Sequence, residues 1–352
     1  MALSNSVRVL VVDDSSYIRK VVSQMLSRHP AIQVVGTARN GRDALVKVSE
    51  LSPDVVTLDL LMPELDGLGF LKEQMARRPL PVVIVSIASE GGQMAISAME
   101  LGALEFVQKP TALALSSVFD IERDLTEKVL TAASVAHERL PVMRDHGAPA
   151  AAVLPLPVRG ASGRVDAVVI GLSTGGPQAL RHLLAQLPGD FPVPLAVVVH
   201  MPPGYTAAFA ERLNQRSALE VLEAHEGLPM RPGRVLLAPG GLHLTLQRQP
   251  DDMVTVHLNS YPLDKPHRPS VDVLFQSAAE VYGDRILGVV MTGMGSDGRD
   301  GAAWIKAQGG IIFTEAEPSC VVYGMPRSVV EANLSDREVL LENMAAALLE
   351  TV

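Results

Sequence analysis

One serine in the C-terminal half of the chain lies in a pattern suited to a nucleophile. Ser173 is part of Gly171-Leu172-Ser173-Thr174-Gly175-Gly176, after the strand-like run Ala167–Ile170 and before the helix-like stretch Gln178–Gln186. A tight strand-to-helix turn of this kind projects a hydroxyl at the sheet edge, close to a helix N-terminus. A glycine-rich turn after a first strand equally favours a phosphate cradle, so this motif alone leaves both interpretations open.

A histidine and an aspartate follow two further strand-like runs in the same half. His200 comes directly after Leu195–Val199, and Asp297 follows Ile286–Met291 through a glycine-rich loop. Because the carboxyl ends of parallel strands converge at one sheet edge, these side chains are expected to meet Ser173 there. A neutral imidazole can take the serine proton, a carboxylate can orient the imidazole, and backbone N–H groups of the loop can bind an oxyanion.

Other residues compete for these roles. His267 is the main rival of His200 as a base, or it is a substrate contact; spacing favours His200, which directly ends a core strand. Asp300 is a close rival of Asp297 as the carboxylate, and Asp272 is a more distant one. Cys320 is the rival of Ser173 as the nucleophile. The cysteine follows no glycine turn, which favours a buried structural thiol.

Acidic residues and a lysine also follow strand-like runs in the N-terminal half. The residues that share this placement are Asp13, Asp14, Asp59, Ser86 and Lys109. Crowded carboxylates repel each other unless a hard divalent cation such as Mg²⁺ lies between them. A carboxylate nucleophile beside such an ion, with an ammonium and a hydroxyl nearby, suits acceptance of a phosphoryl group. Each residue alone favours a solvated loop position, whereas their joint placement favours a pocket.

The elements that must position these groups are alternating strands and helices, which is typical of parallel sheets covered on both faces. The strand-like runs of the first half are Val7–Val12, Ile32–Val35, Val55–Leu58, Val82–Val85 and Glu105–Val107. Those of the second half are Ala167–Ile170, Leu195–Val199, Val235–Ala238, Ile286–Met291 and Gly310–Phe313. The segment Thr245–Leu258 predicts an inserted β-hairpin. We therefore predict an α/β protein with two doubly wound parallel-sheet domains.

The length of 352 residues suits two domains, each able to bury its own core. The helix-like stretch Ser116–Ala136 is followed by Pro141–Gly163, which is rich in Pro, Ala and Gly and has no periodic apolar face. The predicted limits are 1–125 for the first domain, 126–163 for a helical and Pro/Ala-rich linker, and 164–352 for the second domain.

Composition excludes several classes of partner. The formal net charge is -9 and no Lys/Arg-rich run is present, so nucleic acid is not expected as the main partner. The single cysteine cannot form an internal disulfide, which fits a reducing compartment. No apolar run is long enough to span a membrane and no segment has the pattern of a secretory signal, so a cytoplasmic location is expected.

Residues 5 to 125 resemble the receiver domains of two-component response regulators. The matching segments are Val11-Val12-Asp13-Asp14-Ser15, Leu58-Asp59-Leu60-Leu61-Met62-Pro63, Asp66-Gly67, Ser86 and Lys109-Pro110. The resemblance implies a flavodoxin-like fold with Asp59 as the phosphoacceptor. It implies that the ligands of Mg²⁺ are Asp14, Asp59 and the Leu61 carbonyl. It also implies that the other residues of the phosphorylation pocket are Asp13, Ser86 and Lys109.

Residues 164 to about 345 resemble the catalytic domain of bacterial chemotaxis protein-glutamate methylesterases. The matching segments are Ile170–Pro177, His200–Pro203, His267–Phe275, Thr292–Gly298 and Val322–Pro326. The resemblance implies a Rossmann-like domain with Ser173, His200 and Asp297 as the catalytic triad. It implies that the residues near the oxyanion or substrate are Thr174, the Met294 amide and His267, and it implies no cofactor for the esterase.

Together the two resemblances imply a phosphorylation-activated enzyme of chemotaxis-type adaptation. It would hydrolyse glutamate methyl esters on the cytoplasmic helices of chemoreceptors, deamidate receptor glutamines, and take its phosphoryl group from a chemotaxis-type histidine kinase. Two other classes remain open from the residues: a nucleotide binder that uses Gly171–Gly176, and a non-catalytic output adaptor. The first is weakened because no Lys-Ser/Thr pair follows the glycines.

Overall fold

The computed structural model describes residues 6–86, 88–109, 115–135 and 165–352, with the side chains of 88–91 and 115–120 outside the description. These residues form two compact units, one on each side of the stretch from 136 to 164. The predicted linker Pro141–Gly163 lies outside the described residues, and the predicted domain limits stay a prediction.

The first unit is a five-stranded parallel sheet flanked by helices, in the strand order β2-β1-β3-β4-β5. Its strands are β1 (Val7–Val12), β2 (Ile32–Ala38), β3 (Val55–Leu58), β4 (Val82–Ser86) and β5 (Glu105–Gln108). Its helices are α1 (Ser16–Ser27), α2 (Gly41–Leu51), α3 (Gly67–Arg77), α4 (Ala88–Glu100) and α5 (Leu115–Ser134).

Sequence signals account for these elements. β3 and β4 are continuous runs of buried residues, as expected of strands that are covered on both faces. Three helices begin at polar side chains that accept a backbone N–H of the first turn, namely Ser15, Asn40 and Asp66. Because all strands of this sheet are parallel, their carboxyl ends lie at one edge, where Asp13, Asp59 and Lys109 follow β1, β3 and β5.

The second unit is a seven-stranded parallel sheet, in the strand order β14-β13-β12-β6-β7-β9-β8, with a separate antiparallel hairpin of β10 and β11. Its strands are β6 (Ala167–Leu172), β7 (Leu195–Val199), β8 (Glu220–Glu223), β9 (Arg234–Leu237), β10 (His243–Arg248), β11 (Val254–Asn259), β12 (Ile286–Val290), β13 (Ile311–Glu315) and β14 (Arg337–Val339). Its helices are α6 (Gly176–Leu184), α7 (Thr206–Asn214), α8 (Val271–Tyr282), α9 (Arg299–Ala307), α10 (Met325–Glu331) and α11 (Leu341–Thr351).

The predicted fold class is confirmed, including the inserted hairpin. The hairpin packs its apolar face on α8, where Leu244, Leu246 and Val256 share a buried cluster with Leu274 and Ala278. The Leu246 N–H also donates to the Ser277 hydroxyl at 3.1 Å. The hairpin therefore stabilises the helix whose N-terminus reaches the site described below.

The two edge strands, β8 and β14, were not predicted from the sequence, which therefore gave an incomplete sheet. Both are short, and their exposed charged residues break the apolar pattern, as edge strands commonly do. The predicted end of β6 was also too early: the strand continues to Leu172 because it is paired on both sides, with Gly171 opposite Val290 and Val198. β6 is thus the central strand that carries the serine turn.

Among the described residues, no helix is both long enough and apolar enough to cross a membrane.

Candidate functional site

The register of the parallel strands brings Ser173 and His200 side by side. Leu172 pairs with Val199, and the next residue on each strand is the serine or the histidine. The His200 N–H donates to the Leu172 carbonyl at 3.1 Å, which continues the ladder past the strand ends. On the other side of β6, the Ser173 N–H donates to the Thr292 carbonyl at 3.0 Å. The serine therefore lies between the segments that follow β7 and β12.

The turn after Ser173 has the geometry of a nucleophile turn. Gly175 has a φ of 77°, a left-handed conformation that side chains disfavour, and α6 begins at the next residue. The Gly176 N–H donates to the Ser173 carbonyl at 2.7 Å. A side chain at Gly293 would meet the Ser173 Cβ at 2.8 Å, so only glycine lets the loop after β12 approach the serine. Ser173 is partly exposed at the sheet edge.

His200 and Asp297 form a hydrogen-bonded pair beside this turn. The distance between His200 Nε2 and Asp297 Oδ2 is 2.8 Å, and each side chain is only 8% exposed. The carboxylate can only accept, so Nε2 carries a proton and the neutral ring keeps its lone pair on Nδ1. Nδ1 is buried and has no hydrogen-bond partner among the described residues. The nitrogen suited to take a proton is therefore Nδ1, the reverse of the ring orientation in the chymotrypsin triad.

Asp297 is held by the N-terminus of α8 as well as by the histidine. Its Oδ1 accepts from the Ser270 hydroxyl at 2.9 Å and from the Asp272 N–H at 3.0 Å, and its Oδ2 accepts from the Val271 N–H at 2.8 Å. Burial alone would raise the pKa of Asp297, but the hydrogen bonds from His200 and from these backbone N–H groups hold its pKa well below the usual range. The carboxylate therefore stays charged and orients the imidazole without taking its proton.

Ser270→Ala removes one of the four donors to Asp297 and leaves the two backbone donors in place. We expect kcat to fall by about tenfold, since a hydrogen bond to a charged group is worth roughly 1.5–3 kcal/mol and part of that orients the pair. Steady-state hydrolysis measures the change, and Ser270→Thr, which keeps a hydroxyl, should restore most of it. Equal loss in both variants would contradict the role of the hydroxyl.

The rivals of these residues are near the site but make other contacts. The His267 ring stacks on the His200 ring, with centroids 4.2 Å apart, and His200 is the ring that bonds to Asp297 at 2.8 Å. Asp272 Oδ1 accepts the N–H groups of Gly298 and Gly301 at 2.8 Å and thereby holds the Asp297 loop. Asp300 is 60% exposed and pairs with its neighbour Arg299.

The two residues predicted near the oxyanion differ in how far the structure locates them. Thr174 is buried, and its carbonyl accepts from the Thr292 hydroxyl at 2.9 Å, which joins the serine turn to the loop after β12. Met294 lies one residue beyond Gly293, where an added Cβ would lie 2.8 Å from the Ser173 Cβ. A role of the Met294 amide in an oxyanion hole stays a prediction.

Sequence analysis missed three residues that support the site: Ser270 as a donor, Thr292 and Glu315. Glu315 ends β13, and its Oε2 accepts the Thr292 N–H at 2.9 Å. Ser270 carried a recognisable signal, since a serine before an apolar helix is a common helix start. The other two carried none, because their partners lie far away in the sequence.

In the first unit, Lys109 joins two carboxylates at the end of the sheet. Its Nζ lies 2.8 Å from Asp13 Oδ2 and 2.7 Å from Asp59 Oδ2. Asp59 Oδ1 accepts the Leu60 N–H at 2.8 Å, and the Lys109 N–H donates to the Ser86 carbonyl at 2.8 Å. The structure thus brings these predicted pocket residues to one edge.

Burial governs the charges in this pocket. It raises the pKa of Asp59, against the opposing effect of Lys109. Burial alone would lower the pKa of Lys109, but the carboxylates of Asp13 and Asp59 outweigh it and raise that pKa. The lysine therefore stays cationic and offsets part of the negative charge.

The acidic cluster fits a divalent cation. Carboxylate oxygens of Asp13, Asp14 and Asp59 lie within 4.8 Å of one another. Three carboxylates and the single ammonium of Lys109 leave a charge that one dication would neutralise, and oxygen donors are those that Mg²⁺ prefers. Asp14 is exposed, which leaves room for the waters that Mg²⁺ retains.

Comparisons with known proteins match both units. Residues 168–348 match the CheB methylesterase family model, and residues 9–115 match the model of the response regulator receiver domain. A protein-glutamate methylesterase/protein-glutamine glutaminase of Myxococcus xanthus is 50% identical over 349 residues, with 99% of both chains covered. The chain belongs to the CheB methylesterase family. The predicted family, and with it the predicted class of enzyme, is confirmed.

Two further matches support the same assignment. A protein of the same name from Symbiobacterium thermophilum is 46% identical over 348 residues and covers 95% of this chain and 93% of its own. Among solved structures, the CheB methylesterase catalytic domain of Thermotoga maritima is 41% identical, with a TM-score of 0.52, and it matches 53% of this chain and 99% of its own. The methylesterase unit and its receiver unit therefore account for the two sites.

Proposed function

We propose that this member of the CheB methylesterase family is a serine hydrolase that removes methyl groups from glutamate side chains of chemoreceptors when its receiver unit is phosphorylated. The observation that carries the proposal is the His200–Asp297 pair, which leaves the buried Nδ1 of His200 without a partner in the described structure, next to the Ser173 turn. The names shared by the relatives supply the substrate class, a protein glutamate ester or glutamine.

The geometry supports an acyl-enzyme mechanism. The Ser173 hydroxyl attacks the γ-carbonyl carbon of the glutamyl ester, and its proton passes to His200 Nδ1 while Nε2 keeps its hydrogen bond to Asp297. Backbone N–H groups at the start of α6 and in the loop after β12 bind the developing oxyanion, with Met294 and Thr174 as the proposed contributors. Methanol then leaves with the proton from Nδ1.

Hydrolysis of the acyl-enzyme repeats these steps with water. Nδ1 of His200 takes a proton from the water, the hydroxide adds to the ester carbonyl, and Ser173 leaves with the proton returned. Free glutamate is the product. With a glutamine side chain the first step releases ammonia instead of methanol, so the same residues support deamidation. His267, stacked on His200, is proposed to contact the substrate at the mouth of the site.

We propose that Asp59 is the phosphoacceptor that controls this activity. Asp14, Asp59 and the Leu61 carbonyl would hold Mg²⁺, which neutralises the transferring oxygens when bound. Lys109 already contacts Asp59, and Ser86 is buried at the same edge, so both are placed to respond to the new charge. The phosphodonor is a chemotaxis-type histidine kinase, which implies action on the cytoplasmic side of the membrane.

Methanol release from methylated receptor membranes tests both parts of the proposal. A small-molecule phosphodonor with Mg²⁺ should raise the initial rate of the full chain by about tenfold, within the usual range of coupling between sites. Asp59→Asn should keep the basal rate and lose the increase, because the amide cannot form the acyl phosphate. Glu50→Gln, which removes an exposed carboxylate of α2 in the same unit, is the matched control and should respond fully.

Two outcomes would contradict the proposal. No methanol release from the unmodified chain with or without phosphodonor would reject the esterase. A full response of Asp59→Asn to the phosphodonor would reject Asp59 as the phosphoacceptor and leave the esterase intact.

A further inference from the structure

A buried glutamate lies behind the serine turn and takes no part in the proposed chemistry. Glu315 is the last residue of β13, at the same carboxyl edge of the sheet as Ser173 and His200, and it is 0% exposed. A buried carboxyl that is not paired with a cation is costly as an anion, so its position calls for an explanation. Its contacts supply one.

Glu315 reaches the nucleophile through a single residue, Thr292. Glu315 Oε2 accepts the Thr292 N–H at 2.9 Å, and the Thr292 carbonyl accepts the Ser173 N–H at 3.0 Å. The Thr292 hydroxyl donates to the Thr174 carbonyl at 2.9 Å and accepts the Val322 N–H at 3.0 Å. Every hydrogen-bonding group of Thr292 is therefore engaged, and three of its four partners belong to the serine turn or to Glu315.

The surroundings of Glu315 favour the protonated acid. Burial raises the pKa of Glu315 to about 7, and the Glu342 carboxylate at the start of α11 acts in the same direction. The Thr292 N–H, the Ser319 hydroxyl and the Cys320 thiol act in the opposite direction. Oε1 is buried without a hydrogen-bond partner among the described residues.

We propose that Glu315 is a positioning residue for the Ser173 turn and that it acts as a neutral acid, which holds the Thr292 N–H without placing a charge behind the nucleophile. This inference rests on the proposed hydrolase function. The Glu315 carboxyl holds the Thr292 N–H. Thr292 in turn holds the Ser173 N–H with its carbonyl and the Thr174 carbonyl with its hydroxyl. A neutral carboxyl adds no negative charge near the developing oxyanion, so it does not oppose the backbone N–H groups that stabilise that charge.

Ionisation of Glu315 would work against both tasks. A carboxylate behind the turn repels the negative charge that develops on the substrate oxygen, in a site where little water screens it. The ionised Glu315 carboxylate would also have to stay buried close to the Glu342 carboxylate, or move toward water and draw the Thr292 segment with it. Activity is therefore expected to fall on the alkaline side as Glu315 loses its proton.

Two substitutions separate the acceptor from the charge. Glu315→Gln keeps an oxygen for the Thr292 N–H at the same side-chain length and carries no charge at any pH. Glu315→Ala removes the acceptor and leaves a buried N–H unsatisfied. The first readout is the rate at which a fluorophosphonate labels Ser173 in the full chain from pH 5.5 to 9, and the second is methanol release over the same range.

The expected results differ in shape as well as size. Glu315→Ala should lower both rates by about tenfold or more at every pH, since a misplaced nucleophile loses reactivity. Near pH 6, Glu315→Gln should keep most of the rate that Glu315→Ala loses. On the alkaline side, its rate should decline at a pH about one unit higher than in the unsubstituted chain. The shift should appear in kcat more than in KM.

Thermal unfolding provides a test that needs no activity. The unfolded chain loses the Glu315 proton near its ordinary pKa of 4.5, whereas the folded chain keeps it until about pH 7, so this group lowers stability as pH rises between those values. Glu315→Gln has no such proton, so its Tm relative to the unsubstituted chain should rise by about 5 °C between pH 5 and pH 8. Trp304, the single tryptophan, lies in α9 and reports on the second unit.

The outcomes separate this inference from the proposed function. Identical pH profiles and parallel Tm curves for Glu315→Gln and the unsubstituted chain would overturn it, and so would equal loss of labelling in Glu315→Gln and Glu315→Ala. Absence of Ser173 labelling in the unsubstituted chain would reject the hydrolase instead, and the Tm comparison would still decide whether Glu315 is a neutral buried acid.

Discussion

Ser173→Ala is expected to lower kcat for ester hydrolysis by about 10⁴-fold or more, while KM changes little. The hydroxyl is the group that forms the acyl-enzyme. The neighbouring Thr174 is buried and the thiol of Cys320, which follows β13, donates to the Glu315 carbonyl, so neither is placed to replace it. The remaining oxyanion donors would sustain only a residual rate over the uncatalysed reaction.

Methanol release and fluorophosphonate labelling measure this effect independently. The fold should be unaffected, because the bonds that hold the turn come from the Ser173 backbone: its N–H donates to the Thr292 carbonyl and its carbonyl accepts the Gly176 N–H. Ser328→Ala is a matched control, since its hydroxyl donates to the Met325 carbonyl within its own helix, α10. Activity of Ser173→Ala within about tenfold of the control would refute the nucleophile, because loss of a triad nucleophile costs far more.

Asp297→Asn is expected to lower kcat by about 10⁴-fold, because an amide in place of the carboxylate forces the wrong tautomer on His200. If the amide NH₂ faces Nε2, that nitrogen must accept, and the ring proton moves to Nδ1. Nδ1 then has no lone pair for the Ser173 proton. Activity should not recover at higher pH, since the tautomer is set by hydrogen bonding rather than by titration.

The same substitution should also destabilise the second unit. Both carboxylate oxygens of Asp297 accept backbone N–H groups, from Val271 on one side and Asp272 on the other. An amide NH₂ therefore opposes a donor in either orientation, which costs about 1–3 kcal/mol. Tryptophan fluorescence should show a lower Tm at neutral pH. The difference should shrink as pH falls below about 4, because the unfolded chain then takes up a proton on Asp297 while the folded chain still keeps that group charged.

Asp300→Asn is the matched control for both effects. Asp300 lies three residues away at the start of α9, is largely exposed and pairs with Arg299, so its charge is screened by water. We expect activity within about twofold of the unsubstituted chain and a stability change below about 0.5 kcal/mol. Equal losses in the two variants would remove the distinction between Asp297 and its rival.

The amino-acid sequence alone was sufficient to predict the central strands and the residues that follow them. β3, β4, β6 and β7 are continuous, mainly apolar runs of buried residues, so their positions, though not the exact end of β6, are visible without a structure. Because parallel strands end at a common edge, a polar residue after each run is automatically a neighbour of the others. This is why Ser173 and His200, and likewise Asp13 and Asp59, were found from spacing.

The support of these residues came only from the tertiary structure. Spacing favoured His200 over His267 and left Asp300 as a close rival of Asp297, while the family resemblance implied His200 and Asp297. The fold adds the contacts of these two residues: His200 bonds to Asp297, and Asp297 accepts an N–H at the N-terminus of α8. Short edge strands such as β8 and β14 carry too few apolar residues to be recognised.

Glu315 shows the physical reason most clearly. Its type suggests a solvated surface residue, and its place at the end of an apolar run suggests another strand-end carboxylate. Only the fold reveals that it is wholly buried and bonded to a residue 23 positions earlier in the chain. Local patterns determine which segments become strands and helices, whereas burial, ring orientation and the protonation of a carboxyl depend on partners that chain folding brings from far away.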